Sequence, residues 1–591
     1  VWAAGASLAV AVVLLQGFLF GRPVNPASLA LSFLVVALLI ATWGRLWGLG
    51  KAPVLSPWRA ALGGLATVAA MLAVRGSGST DPLAKSTLAL HLTAMFVLFV
   101  AVSASDGSAE DRESAGPRAP WAWLLGGSAV LGLLTYFARS YANTVLKTPA
   151  ASDAVFMFFM PRGSDYEGVG GGGPPRPDQW AALALYFVTA LGGLAYLSLV
   201  AKARLRWLVL WVMAAAFVGK LNISYASAGG LNQIADKISH IGTAYFILIP
   251  KYGANLWDFV LRFNGLQGIL STHAETHPFG PEVLYTWITR LVGYDPQRVG
   301  LVVMGLTLFT MLPVALMAAR YYDSKWAGVA AAALYLFSPQ QLILSGAGTD
   351  CLLTLGLAWI LYLAQRGSEA DGWIWALGAG LAFFATSLIS VGIFLPMSFV
   401  GIWILWLCQR QGGRPWSWIP RAVRVGGLVG ASFLAAHLAL WGITGGRFNY
   451  LQVFSAGFPV QQGLLQVRPY QVWVWLNPFL IGAYVGWPLV AVLVARLWQA
   501  WSDGDGQDGL LFGAGAFGAL LCLASLGNAE AQRIFQYSVL IALLPATRFF
   551  LRSKSADASA ASSLNLPLLA VGCALLFLNT ALLEALVLDY W

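Results

Sequence analysis

Apolar runs of about twenty residues recur along nearly the whole chain, separated by short polar or basic breaks. A helical run of that length matches the ~30 Å hydrocarbon layer of a bilayer. The pattern predicts an all-α polytopic membrane protein of about seventeen transmembrane helices. Spans are expected near 3–20, 27–43, 59–75, 86–105, 120–138, 179–200 and 207–224, and then near 299–319, 326–344, 351–366, 372–387, 391–408, 424–441, 471–495, 509–526, 534–550 and 563–585. The run 1–20 has no basic stretch before it and ends in Gly21-Arg22-Pro23, so it reads as a span and not as a cleaved leader.

Residues 225–298 break this pattern without becoming polar. Stretches 241–249 and 256–263 are apolar or amphipathic, and 282–292 reads as a helix about half as long as a span needs. Such segments are expected to lie in the membrane interface, a depth that suits Trp257, Tyr285 and Trp287. Basic residues set the orientation. Arg45/Lys51/Arg59, Lys202/Arg204/Arg206, Arg320/Lys325, Arg410/Arg414/Arg421/Arg424 and Arg548/Arg552/Lys554 all fall on one side if 225–298 is a single external excursion. Short basic loops are cytoplasmic. Residues 139–178, 225–298, 345–350, 442–470 and 527–533 are then extracytoplasmic, in a multi-pass protein expected in the bacterial inner membrane.

Composition agrees: 58% of residues are hydrophobic and 10% charged, where a soluble domain carries about 25% charged. The net charge of +10 belongs to loops that flank spans and meet anionic lipid headgroups, so nucleic acid is not an expected partner. Cys351, Cys408, Cys522 and Cys573 all lie in apolar runs without metal-ligand spacing and read as small buried hydrophobes. Two blocks emerge. Residues 1–200 hold about six spans, of unassigned function, with an expected role in docking to other membrane proteins. Residues 201–591 hold about eleven spans and nearly all the polar residues that stand out.

The densest polarity is Thr272-His273-Ala274-Glu275-Thr276-His277-Pro278-Phe279-Gly280-Pro281. Its histidines are four apart, but a zinc protease needs His-Glu-x-x-His, and Pro278 discourages a helix through His277. Three readings stand: a divalent metal ion held by His273, Glu275 and His277, local capping and hydrogen bonding, or direct contact with a substrate. Asp236 and His240, four apart, share a face if helical. Asp350 precedes an apolar span and reads as an N-cap, alone or also lining a site. Glu530 and Arg533 form an ion pair or orient a phosphate. Arg447 and Arg468, with Tyr450 and Tyr470, are interfacial anchors or bidentate phosphate ligands.

The order of motifs resembles the GT-C class of membrane glycosyltransferases. An early Asp236 is followed by Thr276-His277-Pro278-Phe279-Gly280-Pro281, Leu284-Tyr285-Thr286-Trp287, Ala319-Arg320, Ala327-Gly328, Leu336-Phe337-Ser338-Pro339 and Thr349-Asp350-Cys351-Leu352-Leu353. The branch is the one similar to dolichyl-phosphate-mannose protein mannosyltransferases and lipid A aminoarabinose transferases, and the resemblance covers residues 201–591. It implies a GT-C-like core with interfacial helices in its first external loop. It also implies inverting transfer of a sugar from a polyprenyl-phosphate donor to a lipid, glycan or protein acceptor. By position Asp236 is the catalytic acid, with Asp258 its rival; Asp350 and Glu275 are further catalytic candidates. Arg447, Arg468 and Arg533 are donor-phosphate candidates, and His240, His273, His277, Asp258 and Glu530 acceptor or metal-site candidates. The metal-binding glutamate of the aminoarabinose branch falls on Thr276 here, one step from Glu275. A non-catalytic subunit on the same scaffold and a lipid or solute transporter are the rival readings.

Overall fold

The computed structural model describes residues 123–132, 134–135, 177–199, 204–227, 230–239, 245–270, 272–344, 348–411, 415–467, 470–503, 510–511, 513–515, 517–518, 535–551 and 564–586. The expected spans at 3–20, 27–43, 59–75 and 86–105 lie outside the described residues, as do His240, Arg468, Glu530 and Arg533.

Among the described residues every regular element is helical. The bundle is built from α1 (Pro177–Leu199), α2 (Leu205–Ala226), α7 (Pro296–Tyr321, through one 3-10 turn) and α8 (Lys325–Phe337). It continues with α9 (Asp350–Gly367), α10 (Trp373–Ile389), α11 (Phe394–Arg410) and α12 (Pro415–Ile443). Between α2 and α7 lie short helices, among them α3 (Asn232–Ser239), α4 (Leu256–Leu266), α5 (Thr272–Thr276) and α6 (Gly280–Val292), with a single helical turn at Ile249–Tyr252 before α4. After α12 come α13 (Tyr450–Val467), α14 (Tyr470–Val485), α15 (Trp487–Asp503), α16 (Ser538–Thr547) and α17 (Leu566–Leu586). Six described helices are long and apolar enough to cross a membrane, or seven if one sharply bent pair counts as a span. Their length and apolarity are consistent with a multi-pass membrane protein.

Three expectations are corrected. The span at 326–344 is a helix of 13 residues that stops at Ser338-Pro339, because the proline offers no N–H to carry the ladder on, and a π-helical turn, Gln340–Leu344, follows. The span at 471–495 is two helices, α14 and α15, meeting at 104°. Gly486 sits at the corner with φ +105°, a backbone region closed to residues with a Cβ. Within the expected external loop 442–470, residues 450–467 are helical, as α13, despite Pro459.

Helices α9, α10 and α12 pack side by side, and α7 pairs with α8. Small residues permit the close approaches: a Cβ on Gly380 would lie 2.3 Å from the Val429 carbonyl oxygen of α12. The core falls into two clusters. The larger runs through the bundle and includes a nearly solid buried stripe along α8. The smaller joins α3, α4, α6 and the start of α7 to Cys351 and Phe448. It gives the short helices a hydrophobic interior of their own at the end of the bundle where α9 begins, here called the Asp350 end. The opposite end carries Glu369.

Candidate functional site

Local sequence sets each short helix. Asn255 starts α4 by accepting a hydrogen bond from the Asp258 N–H at 3.1 Å, and Asp295 caps α7 through the N–H groups of Gln297 and Arg298 at 2.9 and 3.1 Å. Proline at the second position of α6 uses a site where no N–H is needed. Amphipathicity then docks them. Ile234 and Ile238 turn α3 onto α7, where Gly300 leaves room for the Ile234 side chain. Gly280 brings α6 against the end of α10 so closely that a Cβ there would lie 2.2 Å from the Leu388 carbonyl oxygen. Asn264 of α4 exchanges two hydrogen bonds with the Asn449 backbone, at 2.8 and 3.0 Å.

The inward face of α6 meets the start of α9. Glu282 is buried, and both carboxylate oxygens lack a hydrogen-bond partner. Burial pushes its acid up to about 8, so it holds a proton at neutral pH. Tyr285 is buried beside it, and its phenol is pushed well up by burial and then by Cys351, Asp350 and Glu282. Asp350 is half-buried. It occupies the first helical position of α9, not the N-cap, which is Thr349; this corrects the capping expectation. In the first turn its negative charge still faces the positive end of the helix dipole. Lys220 of α2 is fully buried; its Nζ donates to Thr307 Oγ1 at 2.5 Å, and it lies within electrostatic reach of Cys351. Tyr245 links this group to the His-Pro segment, with its ring edge-on to His277 at 6.1 Å and to Tyr285 at 6.3 Å.

The structure therefore brings Asp350, Tyr285, Glu282 and, through Tyr245, His277 to one place. α5 ends at Thr276, as Pro278 requires. Glu275 is half-buried in α5, its carbonyl accepting from Gln267 Nε2 at 3.2 Å. His273 belongs to α5, and its side chain lies outside the described residues. Among the described residues no three His, Cys, Asp or Glu side chains are grouped to hold a metal ion. Asp236 is exposed on α3. Asp258 is held by Arg262 in an exposed ion pair at 2.8 Å. Arg447 is exposed in the turn between α12 and α13.

Beside the His-Pro segment, a second polar group emerges. Ser387 of α10 lies 3.0 Å from His437 Nε2 of α12, and Tyr450 of α13 donates to the Ser387 carbonyl at 3.0 Å. The Ser387 hydroxyl donates to the Phe384 carbonyl at 2.7 Å. It must then accept from Nε2–H, which leaves Nδ1 of a neutral His437 as an acceptor. Phe384, Phe433 and Tyr450 surround the imidazole at 4.5–4.8 Å.

Lys220, Glu282 and His437 did not stand out in the sequence. The available signal was an ionisable residue inside an apolar helical run, which is costly without a partner or function. The chain matches no described protein family, no curated protein and no solved structure.

Proposed function

We propose that this protein is an inverting glycosyltransferase that takes a sugar from a polyprenyl-phosphate donor and passes it to a hydroxyl-bearing acceptor at the extracytoplasmic face. The supporting observation is the platform of non-spanning helices over the start of α9, with the half-buried Asp350 beneath it. Exposed Trp257, Trp287, Leu291 and Tyr294 give the platform an aromatic and apolar rim suited to the depth where a lipid-linked sugar emerges. The motif order of residues 201–591 points the same way.

Asp350 serves better as base than Asp236. Its carboxylate is partly shielded and fixed at a helix start, while Asp236 stands exposed on α3. In the reaction the base takes the acceptor proton as the acceptor oxygen bonds to the anomeric carbon. The carbon–oxygen bond to the phosphate breaks, and polyprenyl phosphate leaves with the electron pair. An arginine at the same face, Arg447 among the described residues, neutralises that charge. Neutral Glu282 and Tyr285 hold the floor of the site without adding a second negative charge beside the base.

The test is turnover of polyprenyl-phosphate-linked sugars by the purified chain. Asp350→Asn is expected to lower it by roughly 10²–10⁴-fold, the usual contribution of a positioned base. Asp236→Asn should change it only a few-fold. Near-normal turnover by Asp350→Asn would remove Asp350 from the chemistry. A second reading, a lipid or solute transporter, draws on Lys220, an ionisable residue fully buried in an apolar helix of spanning length. Flux in proteoliposomes without any glycosyl transfer would favour it.

A further inference from the structure

At the Glu369 end the ends of α2, α7, α8, α9 and α11 surround a cavity of about 750 Å³. Its polar wall carries Arg320, Lys325 and Arg410, and its apolar wall Leu205, Leu316 and Leu407. Two carboxylates also line it: Asp323, exposed in the turn between α7 and α8, and Glu369, which is already neutralised. Arg320 holds it in bidentate fashion at 3.0 and 3.1 Å, and Arg366 Nε reaches it at 3.1 Å.

Two helices start at this cavity, α2 at Leu205 and α8 at Lys325. Neither receives a side-chain capping hydrogen bond from the residue before it. The positive end of each helix dipole favours an anion there. A separate observation concerns Gln365. It is buried in the cavity wall, its Nε2 donates to the Met317 carbonyl at 3.3 Å, and its Oε1 has no partner. A buried amide oxygen in that state calls for a hydrogen-bond donor. The cavity thus offers cations and helix starts for a phosphate, an acceptor for a hydroxyl, and leucines for hydrocarbon. Loop charges place this end in the cytoplasm, where the leaflet is rich in anionic lipid.

We propose that this cavity is a binding site for the headgroup of an anionic glycerophospholipid of the cytoplasmic leaflet. The phosphodiester faces Lys325 and the starts of α2 and α8, the headgroup hydroxyls face Gln365, and the first acyl methylenes run along Leu205, Leu316 and Leu407. The site is at the far end of α9 from the proposed transferase centre and stands without it.

The test uses the full chain, delipidated in detergent, with thermal unfolding and native mass spectrometry read as phosphatidylglycerol, phosphatidylcholine or soluble glycerol phosphate is added. Phosphatidylglycerol should raise the unfolding midpoint and remain bound where phosphatidylcholine does not. Lys325→Ala should weaken apparent binding about fivefold, the effect of one basic residue at an anionic lipid. Lys325 is exposed, so the variant should unfold at the unmodified midpoint without lipid. Gln365→Leu should lower the preference for phosphatidylglycerol over phosphatidic acid, which lacks the headgroup hydroxyls. Arg424→Ala, an exposed charge on α12 outside the cavity, should leave binding unchanged. The proposal fails if phosphatidylglycerol is no better than phosphatidylcholine, or if Arg424→Ala weakens binding as much as Lys325→Ala. It fails equally if glycerol phosphate alone reproduces the stabilisation, which would make the ligand soluble.

Discussion

At the Asp350 end of α9 the polar groups are few and mostly buried: Lys220, Glu282 and Tyr285 sit in a hydrophobic cluster, with Asp350 half-buried at its edge. At the Glu369 end, about 27 Å away along 18 helical residues, charges are more numerous, partly exposed and paired with one another. A carboxyl at the first end, Glu282, has its affinity for a proton raised by burial, against the smaller opposing effect of its own backbone N–H. A carboxylate at the second, Glu369, is shared by two arginines in partial contact with water, where ion pairs contribute little to stability. Leverage per residue is therefore high at one end and low at the other.

The largest effect should come from breaking the docking of α6. Gly280→Val would drive its side chain into the Leu388 carbonyl, a backbone group that cannot rotate away. The expected result is a loss of about 3 kcal/mol or more in stability and hydrogen exchange spreading through α6. An unchanged exchange pattern would show that the Asp350 end is not built around this contact.

Glu282 sharpens the contrast through pH. Its acid sits near 4.5 when unfolded and is raised to about 8 when folded. The folded state keeps its proton through that window while the unfolded state loses it, so this residue makes stability fall as pH rises from about 4.5 to about 8. Glu282→Gln should flatten that part of the profile and raise the thermal midpoint at pH 8 by several degrees. A profile that stays equally steep in the variant would assign the slope to other groups.

Asn264→Ala removes both side-chain bonds to the Asn449 backbone, at a partly exposed position. A loss of about 1–2 kcal/mol, read as faster exchange in α4 and the α12–α13 turn, is expected. Smallest of all should be Glu369→Gln, at under about 1 kcal/mol. A loss as large as that of Gly280→Val would erase the difference between the two ends.

Much of the bundle was legible because an apolar run of twenty residues admits few structures in a membrane. The helices at 177–199, 205–226, 296–321, 350–367, 373–389 and 566–586 lie where hydropathy puts them. Breaks inside such runs were not legible by the same measure: Pro339 and Gly486 interrupt ladders without changing hydropathy, so 326–344 and 471–495 read as single spans. The helix within 442–470 was hidden by its glutamines and by Pro459. In the site, sequence drew attention to the dense polarity of His273, Glu275 and His277. Lys220 and His437 instead stand alone in apolar runs, and what surrounds each comes from helices far away in the chain: Thr307 for one, Ser387 and Tyr450 for the other. Asp236 shows the reverse case. Its position in the motif order marked it as the acid, but the apolar face of α3 binds through Ile234 and Ile238 and leaves Asp236 exposed.

The seat of Gly280 also fixes an order of events during synthesis. The carbonyl it rests on, that of Leu388, lies about a hundred residues downstream. At translation rates of roughly 5–20 residues per second, α6 leaves the ribosome some 5–20 seconds before its receptor exists. Through that interval the segment carrying Tyr285 and Trp287 has no bundle end to settle on, and the membrane surface or a chaperone must hold it. The centre around Asp350 is thus completed only after α10 is in place, so a chain truncated before that helix would carry Asp350 and Glu282 and still have no assembled site.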